Sequence, residues 1–352
     1  SGQSMADEFL RQYLQDNGEY PKNLTIDLWG SASMRTGGQE YSMALAFAGL
    51  APIWDSNNAR ILGFKILSLA ELGRPRVDIT IRESGLFRDI FPELNKLFFD
   101  AIDKLSQRDE SIEDNPYKSK GDRIFAPKPG SFGVNIGDKV EGSLAEHTAK
   151  IGEKWLENSA WAYQKNGQFN ENIEGLKKRL TNTSGLIHSH DLCESDLLSA
   201  KDYADHIGGF NAAVTDIQKT KPKLYHLDIS SDGMPKVRFT SQELARIIRG
   251  KLSDDRWVSG MMDHGYRGAA EITELVFNLS NFGKSGVSLP NHLIELVFKA
   301  TLANTKVADF LAKENKDALV GLENTFGELR ELGLWKSYHN SIRYEERLVE
   351  NG

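Results

Sequence analysis

The stretch "IHSHDLCESDLLSAKDYADHIGG", residues 187–209, carries His188, His190, His206, the only cysteine, Cys193, and the carboxylates Asp191, Glu194, Asp196, Asp202 and Asp205. Imidazoles and carboxylates can hold a divalent cation or take up a proton. His188 and His190 share a face if the chain is extended there. Asp191 and Glu194, or Asp202 and His206, are neighbours if it is helical. The spacing matches no structural zinc pattern, and HExxH is absent. On spacing alone, a solvated or capped acidic face outweighs a metal site.

Three further stretches have the residue types for a site. "GSASMRTGGQE" follows a strand end and offers Ser31, Ser33, Arg35 and Thr36 to a carboxylate or phosphate, although an ordinary Gly-rich turn looks the same. "RIFAPKPGSFG" sets Arg123 and Lys128 among prolines and glycines that let backbone approach a ligand. "GMMDHGYRGAAEI" puts His264 and Tyr266 just before a helix, where His264 can serve as general acid or base, or simply as a cap. "NLSNFGKS", residues 278–285, ends like a phosphate loop. However, Asn278 stands where the first Gly is required, and the segment follows a helical pattern rather than a strand. GxGxxG is absent, so no nucleotide site is expected in this chain.

The elements that must position these residues read as an open α/β layer in the N-terminal third, followed by a mainly helical region with short strands. "NLTIDLWG", "APIWD" and "ILGFKILSL" are strand-like. "RPRVDITIRESG" alternates Val77, Ile79 and Ile81 with Asp78, Thr80 and Arg82, a half-buried strand pattern. Tyr41, Ala44, Leu45 and Ala48 lie on one helical face, as do Leu293, Leu296, Val297 and Ala300. "LFRDIFPELNKLFFDAIDKL" is helical with a break at Pro92, "GMPKVRF" is a short strand, and "ALVGLENTFGELRELGLW" is a late amphipathic helix. Residues 1–4, ahead of Met5, are read as an addition outside the fold. Residues 5–105 form the α/β domain, 106–122 a charged surface linker, and 123–352 a mainly helical domain.

The 352 residues suffice for two or three domains. Apolar residues make up 39% and charged residues 26%, as in ordinary globular proteins. A net charge of −7, from 43 basic and 50 acidic residues, argues against a nucleic-acid partner. No apolar run approaches the ~20 residues of a membrane helix. The single cysteine excludes an intramolecular disulfide and suits a reducing, cytoplasmic compartment.

Taken in order, these stretches resemble the C-terminal region of the large subunit of the CobN and magnesium-chelatase H family. "LTIDLWGSASMRTGGQEYSMALAFAGLAPIWD", "SLAELGRPRVDITIRESGLFRDIFPEL", "RIFAPKPGSFG" and "WVSGMMDHGYRGAAEI" each resemble a block of that family, over about Phe9 to Trp335. The stretch at 188–203 is similar to the family's "HNQDNREHDLLDSDDY". It matches at His188, Asp191, Glu194, Asp196, Asp202 and Tyr203. It departs at Leu192, Cys193, Ser195, Ser199 and Lys201, and His190 replaces an amide. The family's upstream "PTGRN.Y" block is absent, so the chain reads as a fragment or a stand-alone version of that region.

The resemblance implies ATP-dependent insertion of a divalent metal into a tetrapyrrole macrocycle. An AAA+ motor with an adaptor subunit uses the ATP, and the rest of the large subunit is a further partner. Co²⁺ and a corrin precursor of the hydrogenobyrinate diamide type are favoured, because imidazole suits Co²⁺ better than Mg²⁺. Mg²⁺ insertion into protoporphyrin is the alternative. Asp191, Glu194, Asp196 and His264 would replace metal waters and accept pyrrole protons, while His188 and His190 would hold the ion in transit. Arg35, Arg82, Arg88 and Lys128 would pair with acidic groups of the ring, with Ser31 beside them. Trp29, Tyr203 and Tyr266 would offer stacking surface. A non-catalytic tetrapyrrole-binding or motor-docking module, and an unrelated enzyme on the same fold, are the readings from other classes.

Overall fold

The computed structural model describes residues 1–55, 61–134, 136, 142–231 and 233–338. Ten strands form among them: β1 (Asn23–Leu28), β2 (Leu50–Trp54), β3 (Ile61–Ile66), β4 (Asp78–Glu83), β5 (Ile124–Ala126), β6 (Trp161–Tyr163), β7 (Phe169–Glu171), β8 (Leu186–His190), β9 (Leu224–Asp228) and β10 (Lys236–Phe239). Eight build one sheet in the order β10-β9-β8-β1-β4-β5-β6-β7, and β2 and β3 form a separate antiparallel pair. From β9 to β5 the strands are parallel, with antiparallel strands at both edges. The short strands expected after residue 123 therefore extend the same sheet as β1 and β4.

The described chain divides into two compact units. The first comprises residues 1–138, 149–196 and 205–240 and holds the sheet. Residues 106–122, expected as a linker, lie inside it. Glu110 accepts from buried Arg76 at 2.8 Å, and the Tyr117 hydroxyl donates to the Val77 carbonyl at 2.8 Å. Residues 1–4, expected outside the fold, start its first helix, Gly2–Asn17, whose Met5, Phe9 and Leu10 enter the core. Leu24, Ile26 and Leu28 of β1 and Ile79 and Ile81 of β4 join them there.

β4 corrects the half-buried reading, since all six of its residues are buried. A parallel sheet is covered on both faces. Asp78 and Thr80, on the polar face of β4, are met inside the protein. Arg123 and Arg179 both reach Asp78, at 2.8 and 2.5 Å, and Arg179 also donates to the Thr80 hydroxyl. "GSASMRT", expected as a turn, is a helix, Gly30–Thr36. Gly30 begins it because a Cβ there would meet the Phe87 nitrogen at 2.6 Å and Leu86 Cγ at 2.8 Å.

Among the described residues, the second unit (139–148, 197–204 and 241–352) is helical wherever it has regular structure. Helices Gly265–Lys284, Asn291–Ala300 and Lys316–Glu331 contribute Leu275, Leu279, Phe298 and Phe326 to its interior. Trp335 packs against Phe298 and Phe326 with its ring centroid 4.7 and 5.2 Å from theirs, and its indole donates to Glu295. Residues 278–284 lie within a helix, as the rejection of a phosphate loop requires. No helix of the described residues is long and apolar enough to cross a membrane.

Candidate functional site

β1 runs on into the helical turn on one side and pairs with β4 and β8. The chain proceeds from β1 to β4 and β5 in one direction across the sheet, and from β8 to β9 in the other. The carboxyl ends of strands at such a reversal are where open α/β sheets bind ligands. One row of side chains crosses the sheet at this level. Arg82 of β4 is registered with Asp27 of β1, Asp27 with His188 of β8, and His188 with His226 of β9. Residues in register point to the same face, so four titratable groups stand side by side. All four are buried.

Asp27 is the centre of this row. Its Oδ2 accepts from the Trp29 indole at 2.6 Å and lies 3.6 Å from His188 Nδ1 and 3.5 Å from His206 Nδ1. Its Oδ1 is 3.8 Å from Arg82 Nη1, which is itself 3.0 Å from His206 Nδ1. Trp29 packs edge-on against the His188 ring and tilted on that of His206. Burial alone would raise the Asp27 pKa. The imidazoles of His206 and His188 and the Arg82 guanidinium outweigh it and hold the carboxylate ionised. For His226 burial dominates, and the flanking His188 and His190 add to it, so this imidazole is held neutral. Among the described residues neither Asp27 Oδ1 nor Arg82 Nη2 has a hydrogen-bond partner. A buried acceptor and donor left unmet are costly.

His206 reaches this row because Ala204–Gly208 forms a π-helical turn. Such turns interrupt the α-helical phase and recur at functional sites. Asp27 and His226 are not among the candidates from sequence, and His206 enters there only as a neighbour of Asp202, with no role assigned. A charged residue at the end of an otherwise apolar strand was the available signal for Asp27. For His206 it was the spacing from Asp202.

Of the expected residues, Trp29, Arg82 and His188 come together in this cluster. His190 shares its face on β8 but has another task. Its Nε2 lies 2.8 and 3.0 Å from the Leu192 and Ser195 carbonyl oxygens, so it donates and orders the loop after the strand. A metal could reach this ring only through Nδ1. Asp191 forms a two-bond ion pair with Arg35, at 2.6 and 2.9 Å. Glu194 is exposed beside Cys193, and its carboxylate pushes the thiol pKa up, which argues against a reactive thiolate. Asp196 is buried. The "acidic face" is thus several separate environments. Among the described residues no group of three or more His, Cys, Asp or Glu is arranged to hold a metal ion.

Ser31 lies in the first turn of Gly30–Thr36. Arg88 is buried and donates to the Pro127 and Lys128 carbonyls, which pins the "PKPG" loop, and Lys128 Nζ lies 5.6 Å from the centre of the Trp161 ring. Tyr203, His264 and Tyr266 belong to the helical unit. There His264 stands at the N-terminus of Gly265–Lys284 with Tyr266 exposed in its first turn. Gly268 of the same motif sits so close to the preceding helix that a Cβ would lie 1.8 Å from the Met261 carbonyl oxygen.

The fold is an open, mainly parallel α/β sheet with buried charge at the reversal of strand order, the place where such sheets bind ligands. Comparison with known proteins decides the family. The family model CobN/Magnesium Chelatase matches residues 1–342, and the chain belongs to that family. It is 32% identical to "Aerobic cobaltochelatase subunit CobN" of Sinorhizobium sp, over 98% of this chain and 29% of that protein. It is 24% identical to "Magnesium-chelatase subunit ChlH, chloroplastic" of Oryza sativa subsp. japonica, over 97% of this chain and 26% of that protein. The solved "Catalytic Subunit of Cobaltochelatase from Mycobacterium tuberculosis" superposes with a TM-score of 0.88 at 26% identity, covering 96% of this chain and 30% of that one. The chain therefore spans under a third of the length of these relatives.

Proposed function

We propose that this chain supplies a tetrapyrrole- and metal-handling part of a chelatase large subunit, with Co²⁺ and a corrin precursor of the hydrogenobyrinate diamide type as substrates. The observation that carries the reading is the buried row Arg82–Asp27–His188–His226 with His206, at the carboxyl ends of the parallel strands. Metal insertion requires that a hydrated ion lose water and that two pyrrole protons leave the ring. A fixed carboxylate among imidazoles favours both, by stabilising positive charge and by offering nitrogen donors. Imidazole donors favour Co²⁺ over Mg²⁺. The higher identity to a relative named cobaltochelatase than to one named magnesium chelatase points the same way. Mg²⁺ insertion into protoporphyrin is the second reading.

In this scheme His188 and His190 hold the ion in transit, and Asp191, Glu194, Asp196 and His264 replace its waters or take the pyrrole protons. Arg35 and Lys128 meet acidic substituents of the ring with Ser31, buried Arg82 and Arg88 act from beneath by fixing Asp27 and the loop at 127–128, and Trp29, Tyr203 and Tyr266 offer ring surface. ATP is used by an AAA+ motor with an adaptor, in the cytoplasm, and not by this chain.

Glu194 and His264 are exposed, so their replacement should cost little stability. In the complete large subunit with its motor partners and ATP, Glu194→Ala, His264→Ala and His188→Gln should each slow Co²⁺ insertion at least tenfold. Ring affinity should change less than twofold, because an interaction made mainly in the transition state lowers turnover rather than binding. Wild-type rates in all three would refute the residue assignments, and absence of metallation by the wild-type complex would refute the chelatase reading.

A further inference from the structure

Asp27 lies at nearly the same distance from two imidazoles. Its Oδ2 is 3.6 Å from His188 Nδ1 and 3.5 Å from His206 Nδ1. By distance alone, this oxygen, which already accepts from the Trp29 indole, would serve both rings alike. Arg82 breaks the tie. Its Nη1 is 3.0 Å from His206 Nδ1, inside hydrogen-bond range, and Asp27, Arg82 and His206 are all buried. A guanidinium can only donate, so His206 Nδ1 accepts. A proton on that nitrogen would suit Asp27 but would set N–H against N–H across the shorter contact. The shorter contact decides, and the neutral His206 ring carries its hydrogen on Nε2. Arg82 is kept in place by its Nε, which donates to the Ser159 hydroxyl at 3.2 Å.

His188 has the opposite surroundings. Its Nδ1 faces an ionised carboxylate, which can only accept, so Nδ1 bears the hydrogen. The neutral ring then has its lone pair at Nε2. A carboxylate behind the protonated nitrogen fixes the orientation of an imidazole and makes its other nitrogen a stronger donor to a metal ion. We infer that Asp27 is a positioning residue for His188 alone, and that Arg82 holds His206 in the opposite tautomer, with Nε2–H as a donor. Of the two imidazoles beside Asp27, only His188 can take a divalent ion at Nε2 without first losing a proton. A single protein nitrogen suits an ion held in transit, and it agrees with the absence, among the described residues, of a three-ligand group. This deepens the chelatase reading and rests on it for the ion as substrate. The tautomers stand on the geometry of the row.

The test is the long-range proton–nitrogen NMR spectrum of the 352-residue chain labelled with nitrogen-15 histidine, which reports the ring nitrogen that bears hydrogen. His188→Gln and His206→Gln assign the two rings by the signals they remove. The wild type should show His206 protonated on Nε2 and His188 on Nδ1. The metal probe is Zn²⁺, a diamagnetic ion that imidazole also suits. It should shift Nε2 of His188 and leave Nε2 of His206 protonated. Arg82→Lys keeps a donor and should keep the tautomer of His206, whereas Arg82→Met should move that hydrogen to Nδ1, towards Asp27. Circular dichroism establishes that each variant is folded, and the wild-type spectrum decides wherever one is not. Hydrogen on Nδ1 of His206 or on Nε2 of His188 in the wild type overturns the inference. So does Zn²⁺ at His206 or at neither ring, or a folded Arg82→Met with the tautomer of His206 unchanged. Tautomers and a Zn²⁺ response as expected, beside a complete large subunit that inserts no metal, would refute the chelatase reading and leave Asp27 and Arg82 in these roles.

Discussion

Replacement of Asp27 by Asn tests the buried row most directly. The side chain keeps its shape and loses its charge. Arg82 is buried, with Ser159 and His206 within hydrogen-bond distance and Asp27 as its ion-pair partner at 3.8 Å. At that distance and an effective dielectric of about 20, two unit charges attract by about 4 kcal/mol. Desolvation of both groups opposes this, so the pair is not worth that much net, but removing one partner strands the other. Breaking a buried pair in this way costs about 3–5 kcal/mol. Asp27→Asn should therefore lower the melting temperature of the isolated chain by roughly 10 °C, at about 2–4 °C per kcal/mol for units of this size. The double variant Asp27→Asn/Arg82→Met removes both charges and should recover at least half of the loss. Urea midpoints of wild type, both single variants and the double variant measure the coupling as a cycle. A loss below about 1 kcal/mol for Asp27→Asn, or single effects that merely add, would refute the account of Asp27 and Arg82 as one interdependent charge network.

Two other perturbations have signs fixed by the structure. Glu83 is fully buried, and burial pushes its pKa up to about 8, with the Asn95 amide, at 3.2 and 2.9 Å, and Arg88 only partly opposing this. Because the folded pKa is raised, the folded state holds the extra proton between about pH 4.5 and 8, and its stability falls as pH rises through that window. Denaturation midpoints of the wild type should decline there by an amount of a few kcal/mol that Glu83→Gln abolishes; parallel pH profiles for the two proteins would refute it. Gly268→Ala should destabilise the helical unit by about 1–3 kcal/mol, since its methyl meets the Met261 carbonyl, whereas Gly327→Ala, at a helical position open to space, should stabilise by about 0.5–1 kcal/mol. Hydrogen exchange on residues 255–284 distinguishes the two, and equal effects would dismiss the close approach as the reason for that glycine.

The periodicity of the sequence was enough to locate most elements, because helices and strands repeat their apolar residues at 3.6 and 2. β1, β4, β10 and the helices at 291–300 and 316–331 all lie where that pattern puts them. The ordered blocks also sufficed for the family. They could not say which polar positions face solvent. The alternation in β4 is that of a half-exposed strand, and only Arg123 and Arg179, from distant parts of the chain, show that its polar face is internal. The buried cluster that forms the candidate site was half legible for the same reason. His188, Trp29 and Arg82 stood out by type and by their motifs. Asp27 looked like one more polar residue in a strand, and His206 like part of an acidic helix. Strand register and a single π-helical turn bring the five together across about 180 residues of chain. Local spacing records which residues share a face of one element. Register between strands that are remote in sequence depends on side-chain packing and backbone hydrogen bonds formed only in the folded sheet, and that is what makes Asp27 the centre of the buried cluster.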